Sequence, residues 1–246
     1  MQRSSAKPSV GVDRPGAGRA NVPVGVAFGV WAGCWMLGNL VAGAAVAAAN
    51  PSGRVADGPT WVLGLAASLG WLPLLVAVGV LGRRFGSGRV DRDFGLSWKR
   101  SDLLGVPIGI AVQVAVIPVL YLPLRAVWPS VFTDSALQDN ARTLVDQAHG
   151  AWIVLLVAVV AIGAPLVEEL VFRGLLQQSL ARRIPPQWAV PAIAVLFAAI
   201  HFRPIEFPGL LVFGLVLGAA AWRTGRLGMG VLAHVAFNVT ALLMVM

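Results

Sequence analysis

Apolar residues fall in long runs along most of the chain, and each run closes on a short polar stretch carrying Pro, Gly or Arg. A helical run of about 20 such residues spans the roughly 30 Å hydrocarbon core of a bilayer. The pattern predicts transmembrane helices at 23–49, 60–81, 103–124, 151–180, 188–201, 207–222 and 229–246. The fold class it implies is all-α, a polytopic membrane helix bundle of about seven helices. Segments 188–201 and 207–222 are short, and Pro191, Pro204, Pro208 and Gly209 lie in or beside them. They are expected to be tilted or partly broken, which a membrane tolerates only where the backbone faces protein or a wet cavity.

Three regions follow from the same pattern. Residues 1–22 are rich in Ser, Gly, Pro and Arg without an apolar run, and predict a disordered cytoplasmic tail. Residues 23–149 hold the N-terminal transmembrane helices and a basic loop, and 150–246 hold a core in which intramembrane polar residues concentrate. The first run, from Val22 to Ala49, is too long for the apolar stretch of a cleaved signal peptide.

Charge adds the topology. With 246 residues, 57% hydrophobic and 12% charged, the chain carries a net +8. A soluble protein of that charge would be a candidate for nucleic acid, but here Lys and Arg sit between apolar runs, so the expected partner is the lipid bilayer and no nucleic acid. One alternating set of loops holds only Arg54, Arg125, Arg142 and Arg203, and the other set holds fourteen basic residues. Positive charge stays in the cytoplasm, which gives an N-in, C-out orientation. Trp61, Trp128, Trp152, Trp188 and Trp222 lie near the predicted helix ends, where indole rings settle at headgroup level. The single cysteine, Cys34, excludes an intramolecular disulfide and a Cys-based metal site.

Candidate chemistry lies in the last three regions of polar residues. Of three glutamates, Glu168 and Glu169 stand side by side inside an apolar run. A carboxylate near the bilayer centre costs about 2.5 kcal/mol or more, so such groups face a bundle interior, pair with a cation and serve a function. Arg173 follows Glu169 by four residues on the same helical face, which predicts an ion pair and leaves Glu168 without a local cation. A carboxylate so placed suits a general base. His201 closes the fifth segment four residues after Phe197, and His234 precedes Asn238 by four in the seventh. If the three stripes converge, Glu168 and His201 can deprotonate a water while His234 and Asn238 donate to a developing oxyanion. No G-x-S-x-G or H-E-x-x-H motif is present, and no nucleophile stands beside a sequence-local base.

The three motifs, E-E-x-x-x-R from Glu168 to Arg173, F-x-x-x-H from Phe197 to His201 and H-x-x-x-N from His234 to Asn238, resemble those of the CPBP intramembrane proteases, also called the Abi or CAAX prenyl protease type 2-like family. The resemblance covers roughly residues 150 to 242. It implies an intramembrane endopeptidase in which Glu168 and His201 activate water, His234 and Asn238 stabilise the oxyanion, and Glu169 and Arg173 shape the site. It leaves two chemistries open, a metal-independent one and a zinc-dependent one with Glu168, His201 and His234 as ligands. It also implies a membrane-associated peptide or protein substrate, through CAAX-type or bacteriocin-related processing. The Ala, Gly, Val and Arg content points to a bacterial plasma membrane.

Two rivals share these residues. Membrane carboxylates and histidines also build the relays of proton- or ion-coupled transporters, although no inverted repeat relates the two halves of the chain. A non-catalytic scaffold would keep the pocket for binding alone. With the N-terminus inside, the Glu pair falls toward the cytoplasmic part of its helix, so approach from the cytoplasmic leaflet is expected.

Overall fold

A computed structural model describes residues 18–50, 52–54 and 58–246, and among them there is no strand. The helices are α1 (Val24–Ala49), α2 (Thr60–Phe85), α3 (Arg100–Val127), α4 (Asp134–Gln147), α5 (Trp152–Leu180), α6 (Pro186–Ala199), α7 (Phe207–Thr224) and α8 (Gly228–Leu243). Each expected apolar run is therefore helical. Five of the helices, α1, α2, α3, α5 and α7, are long and apolar enough to cross a membrane, whereas α6 and α8 are shorter apolar helices.

α4 was not expected, since its composition is polar and none of its side chains is buried. Its start is set by Thr133, whose Oγ1 accepts a hydrogen bond from the Ala136 amide at 3.1 Å and so satisfies one of the amides a helix N-terminus leaves free. It lies across one end of the bundle, tied by Asn140 Oδ1, which accepts from Arg203 Nη2 at 2.6 Å.

Proline shapes the long helices. α3 and α5 each contain a stretch of wider i→i+5 winding, Val112–Val116 and Val157–Gly163, just before Pro118 and Pro165. A proline has no amide hydrogen and its ring crowds the carbonyl four residues back, so the ladder loosens there. A second wide stretch of α5, Glu169–Gln177, begins within the first motif.

The two ends of the bundle differ. At the basic end the chain entering α1 is strapped down: Arg19 donates to Gln178 Oε1 at 2.9 Å and to the Gly225 carbonyl, and the Ala20 and Asn21 amides donate to the Asp93 and Phe85 carbonyls at 3.1 and 2.8 Å. Gln178 Nε2 donates in turn to the Ala20 and Asp93 carbonyls. Most of the expected tail, residues 1–17, lies outside the described residues, but Ala20 and Val22 are buried, so its last residues are packed. Next to the strap, Arg226 grips Asp102 through two bonds of 2.7 and 2.9 Å. The opposite end is closed by α4 and by apolar packing of Ala148, Leu156 and Leu242. Trp188 and Trp222 are exposed at the basic end, and Trp61, Trp128 and Trp152 at the other, as interfacial anchors require.

Candidate active site

Depth in the bilayer follows from helix lengths. Glu168 lies twelve residues before Leu180, about 18 Å along α5 from the basic end. α6 starts at the basic end and runs only 14 residues, about 21 Å, so it stops inside the bundle. Its shortness is what brings His201, in the turn just past its end, to the level of Glu168. Phe202, the next residue, has φ 52°. A bulky residue in the left-handed region is a strained conformation, and here it turns the chain sharply beside His201. The Phe202 ring lies against Trp35 of α1, ring centres 6.0 Å apart.

Glu169 and Arg173 are buried completely and form the ion pair that their spacing predicts, Arg173 Nη1 to Glu169 Oε1 at 3.0 Å. The same carboxylate oxygen accepts from His234 Nδ1 at 3.1 Å, across to α8. Gly230 makes that approach possible, since a Cβ there would lie 2.9 Å from Glu169 Oε2. With Nδ1 committed to Glu169, His234 presents Nε2 outward, 3.7 Å from Glu168 Oε2. Glu168 is thus free of a basic side chain on its own helix but faces an imidazole, and its side chain keeps 25% of its exposure.

His201 is oriented in the same manner. Its Nδ1 lies 2.6 Å from the Phe197 carbonyl, which can only accept, so Nδ1 carries the hydrogen and Nε2 keeps a lone pair. Phe197 itself is the hub of the site. Its ring packs edge-on against His201 (4.9 Å), His234 (5.9 Å) and Phe172 (5.3 Å), and the Arg173 guanidinium carbon lies 4.5 Å from its centre. Asn238 Nδ2 donates to the Val160 carbonyl at 2.9 Å, in the widened part of α5.

Glu168, His201, His234 and Asn238 all line one cavity of about 430 Å³, while Glu169 and Arg173 stand behind its wall. The cavity runs on to Arg125, Asp134, Gln138, Asn140 and Glu206 at the α4 end of the bundle. Glu168 stands 12 residues from the Leu180 end of α5 and 16 from the Trp152 end, so it lies somewhat nearer the basic end, as expected, while the polar wall of the cavity runs toward α4. Among the described residues no group of three or more His, Cys, Asp or Glu side chains is gathered as a metal site, so the zinc set that the resemblance leaves open, Glu168, His201 and His234, supports no step through a metal.

Several contributors escaped the sequence reading. Gln177, one further step of four along the Glu169 and Arg173 stripe, donates to the Gly218 carbonyl at 2.9 Å, and Arg173 Nη2 donates to the Gly214 carbonyl at 3.2 Å. The two glycines let α7 approach closely enough for these bonds, the membrane use of a G-x-x-x-G spacing. Phe213, edge-on to His234 at 5.1 Å and stacked on Phe237 at 3.9 Å, closes the other side of the imidazole. The stripe and the glycine pair were visible signals, but nothing in the sequence marks a backbone carbonyl as their acceptor.

No curated protein and no solved structure matches the chain. Residues 150–240, which hold all three motifs, match the family model described as type II CAAX prenyl endopeptidase Rce1-like, the family group that the motifs resemble.

Proposed function

We propose that the protein is an intramembrane endopeptidase that hydrolyses a peptide bond of a membrane-associated substrate with water activated by Glu168. The observation that carries this reading is that Glu168, His201, His234 and Asn238 line a single cavity, with Glu169 holding His234 from behind. The match of residues 150–240 to an endopeptidase family points to the same reaction class.

In the proposed reaction a water between Glu168 and His201 gives a proton to the carboxylate as its oxygen attacks the scissile carbonyl carbon. His234, held through Nδ1 by Glu169, offers Nε2 to the carbonyl oxygen as it becomes an oxyanion, and Asn238 adds a donor. The C–N bond then breaks, and the proton taken by Glu168 passes to the leaving amine. Arg173 touches no reacting atom; it neutralises Glu169 and fixes the Phe197 ring against both imidazoles, which makes it a positioning residue. Either metal-free or zinc-assisted hydrolysis would use Glu168, and the Nδ1 contacts of both histidines suit either route; because no group of three donors is gathered among the described residues, the steps proposed run without a metal.

Cleavage of fluorogenic peptides by the purified protein in nanodiscs tests this. Wild type cleaves and keeps its rate in a chelator, while Glu168→Gln and His201→Ala lose about 10²-fold or more in kcat. Cleavage that survives Glu168→Gln would overturn the proposal, and proton-coupled uptake without cleavage would favour a transporter.

A further inference from the structure

Glu168 lines a second cavity as well. This one, of about 390 Å³, lies on the other side of the carboxylate, between α1, α2 and α5. It is walled by Trp31, Trp35 and Asn39 of α1 and by Gly70 and Trp71 of α2, none of which falls in the stretch that matches the family model. α1 and α2 are sparsely covered, with 17% and 11% of their apolar windows buried against 33% for α5 and α7. A groove between them therefore opens at the depth of the lipid chains.

The two cavities differ in chemistry. The histidine cavity ends in charged and amide side chains at the α4 end, whereas the groove contributes Asn39 and Glu168 as its accepting side chains, beside three indoles, among apolar and small residues. We infer that the groove between α1 and α2 holds an apolar peptide segment of the substrate beside Glu168, and that the polar segment on the other side of the scissile bond lies in the histidine cavity. The inference rests on the proposed peptidase reading and names its substrate class: a protein cleaved where a membrane-embedded apolar stretch meets a polar one.

A peptide fits the groove better than a hydrocarbon chain for two reasons. First, Gly43, Gly70, Ala66 and Ala67 in its lining let a backbone approach closely, as small residues do wherever peptide packs against helix in a membrane. Second, a peptide outside regular structure needs acceptors for its amides in lipid, where water supplies none. Asn39 donates from Nδ2 to the Trp35 carbonyl at 2.8 Å, and among the described residues its Oδ1 accepts no hydrogen bond. That oxygen and the Glu168 carboxylate are acceptors a hydrocarbon chain could not use.

The test compares two peptides with the same scissile bond in nanodiscs. One joins the polar segment to an apolar run of Leu and Ala of about ten residues, enough to reach the bilayer midplane; the other carries the polar segment alone. A Cβ at Gly43 or Gly70 meets nothing within 4 Å, so Gly43→Phe and Gly70→Phe fill the groove without a clash at the backbone. Each variant lowers the ratio of kcat/KM for the long peptide over the short one about tenfold, while Leu40→Phe and Leu72→Phe, on exposed faces of the same helices outside the lining, leave the ratio unchanged. A photo-reactive leucine in the apolar run, bound to Glu168→Gln, crosslinks to α1 or α2. An unmoved ratio, crosslinks confined to α7 and α8, or equal handling of a peptide whose apolar run is replaced by one alkyl chain overturns the inference. Cleavage of neither peptide by wild type overturns the peptidase reading with it, whereas Glu168-dependent cleavage with an unmoved ratio overturns this inference alone.

Discussion

The Glu169 and Arg173 pair lends itself to a quantitative test, because every contact that compensates it is on view. Arg173 places Nη1 on Glu169 Oε1 at 3.0 Å and Nη2 on the Gly214 carbonyl at 3.2 Å, and among the described residues its Nε has no hydrogen-bond partner. Both side chains are 0% exposed, so neither charge faces bulk solvent. Glu169→Gln keeps the shape and the accepting oxygen but removes the only neutralising charge in direct contact with the guanidinium. Breaking one side of a buried pair costs about 3–5 kcal/mol, which for a chain of this size corresponds to a fall of about 6–20 °C in Tm. The double variant Glu169→Gln with Arg173→Met leaves no buried charge at that position, so it should recover stability relative to Glu169→Gln alone, with a coupling energy of about 2 kcal/mol or more. Thermal unfolding in detergent micelles, followed by tryptophan fluorescence, measures all the corners of the cycle. A loss below about 1 kcal/mol for Glu169→Gln, the level of a solvent-exposed pair, would refute the claim that this buried pair is mutually dependent.

Three further outcomes are expected. Phe197→Ala removes the ring against which both imidazoles and Arg173 pack and should destabilise the protein by about 3–5 kcal/mol, read as a fall in Tm in the same micelle assay. Gly218→Val places a Cβ 2.7 Å from Gln177 Oε1 and 2.9 Å from Val190 Cγ1; α7 must move away from α5, costing about 1–3 kcal/mol, whereas Gly79→Ala, with open space at its Cβ, should be neutral in the same measurement. For topology, a cysteine at Gln138 in a Cys34→Ala background should react with a membrane-impermeant thiol reagent added outside intact cells, and one at Ser87 only after lysis; the reverse pattern would invert the orientation read from the basic loops.

The parts of the site that lie on one helix were legible in the sequence. Glu169 with Arg173, Phe197 with His201 and His234 with Asn238 are each four residues apart, and that spacing alone sets a shared face. What spacing along one helix cannot supply is the partner on another. His234 was read as an oxyanion donor, and its commitment to Glu169 through Nδ1 depends on α8 reaching α5 at Gly230. The acceptors for Arg173, Gln177 and Asn238 are carbonyls of Gly214, Gly218 and Val160, and every residue has a carbonyl, so residue type carries no signal for them. α4 was missed for a different reason: a polar helix lying on the end of a bundle buries nothing, and its composition is that of a loop. The extent of the cavity toward α4 was not legible because it depends on where α6 stops, a property of the packed bundle rather than of any run.

The strap at the basic end has a meaning in time. Arg19 and Gly225 are 206 positions apart, and at about 5–20 residues per second a ribosome needs about 10–40 s to make the intervening chain. Phe85 and Asp93 emerge early and can receive Asn21 and Ala20, but Gln178 and Gly225 do not yet exist. Through most of synthesis the start of the protein therefore has an unfastened arginine, and only a chain whose α5 and α7 have been inserted can fasten it. A chain stalled before α5 and α7 are made cannot close the strap, so its closure reports that the chain has been made through the end of α7.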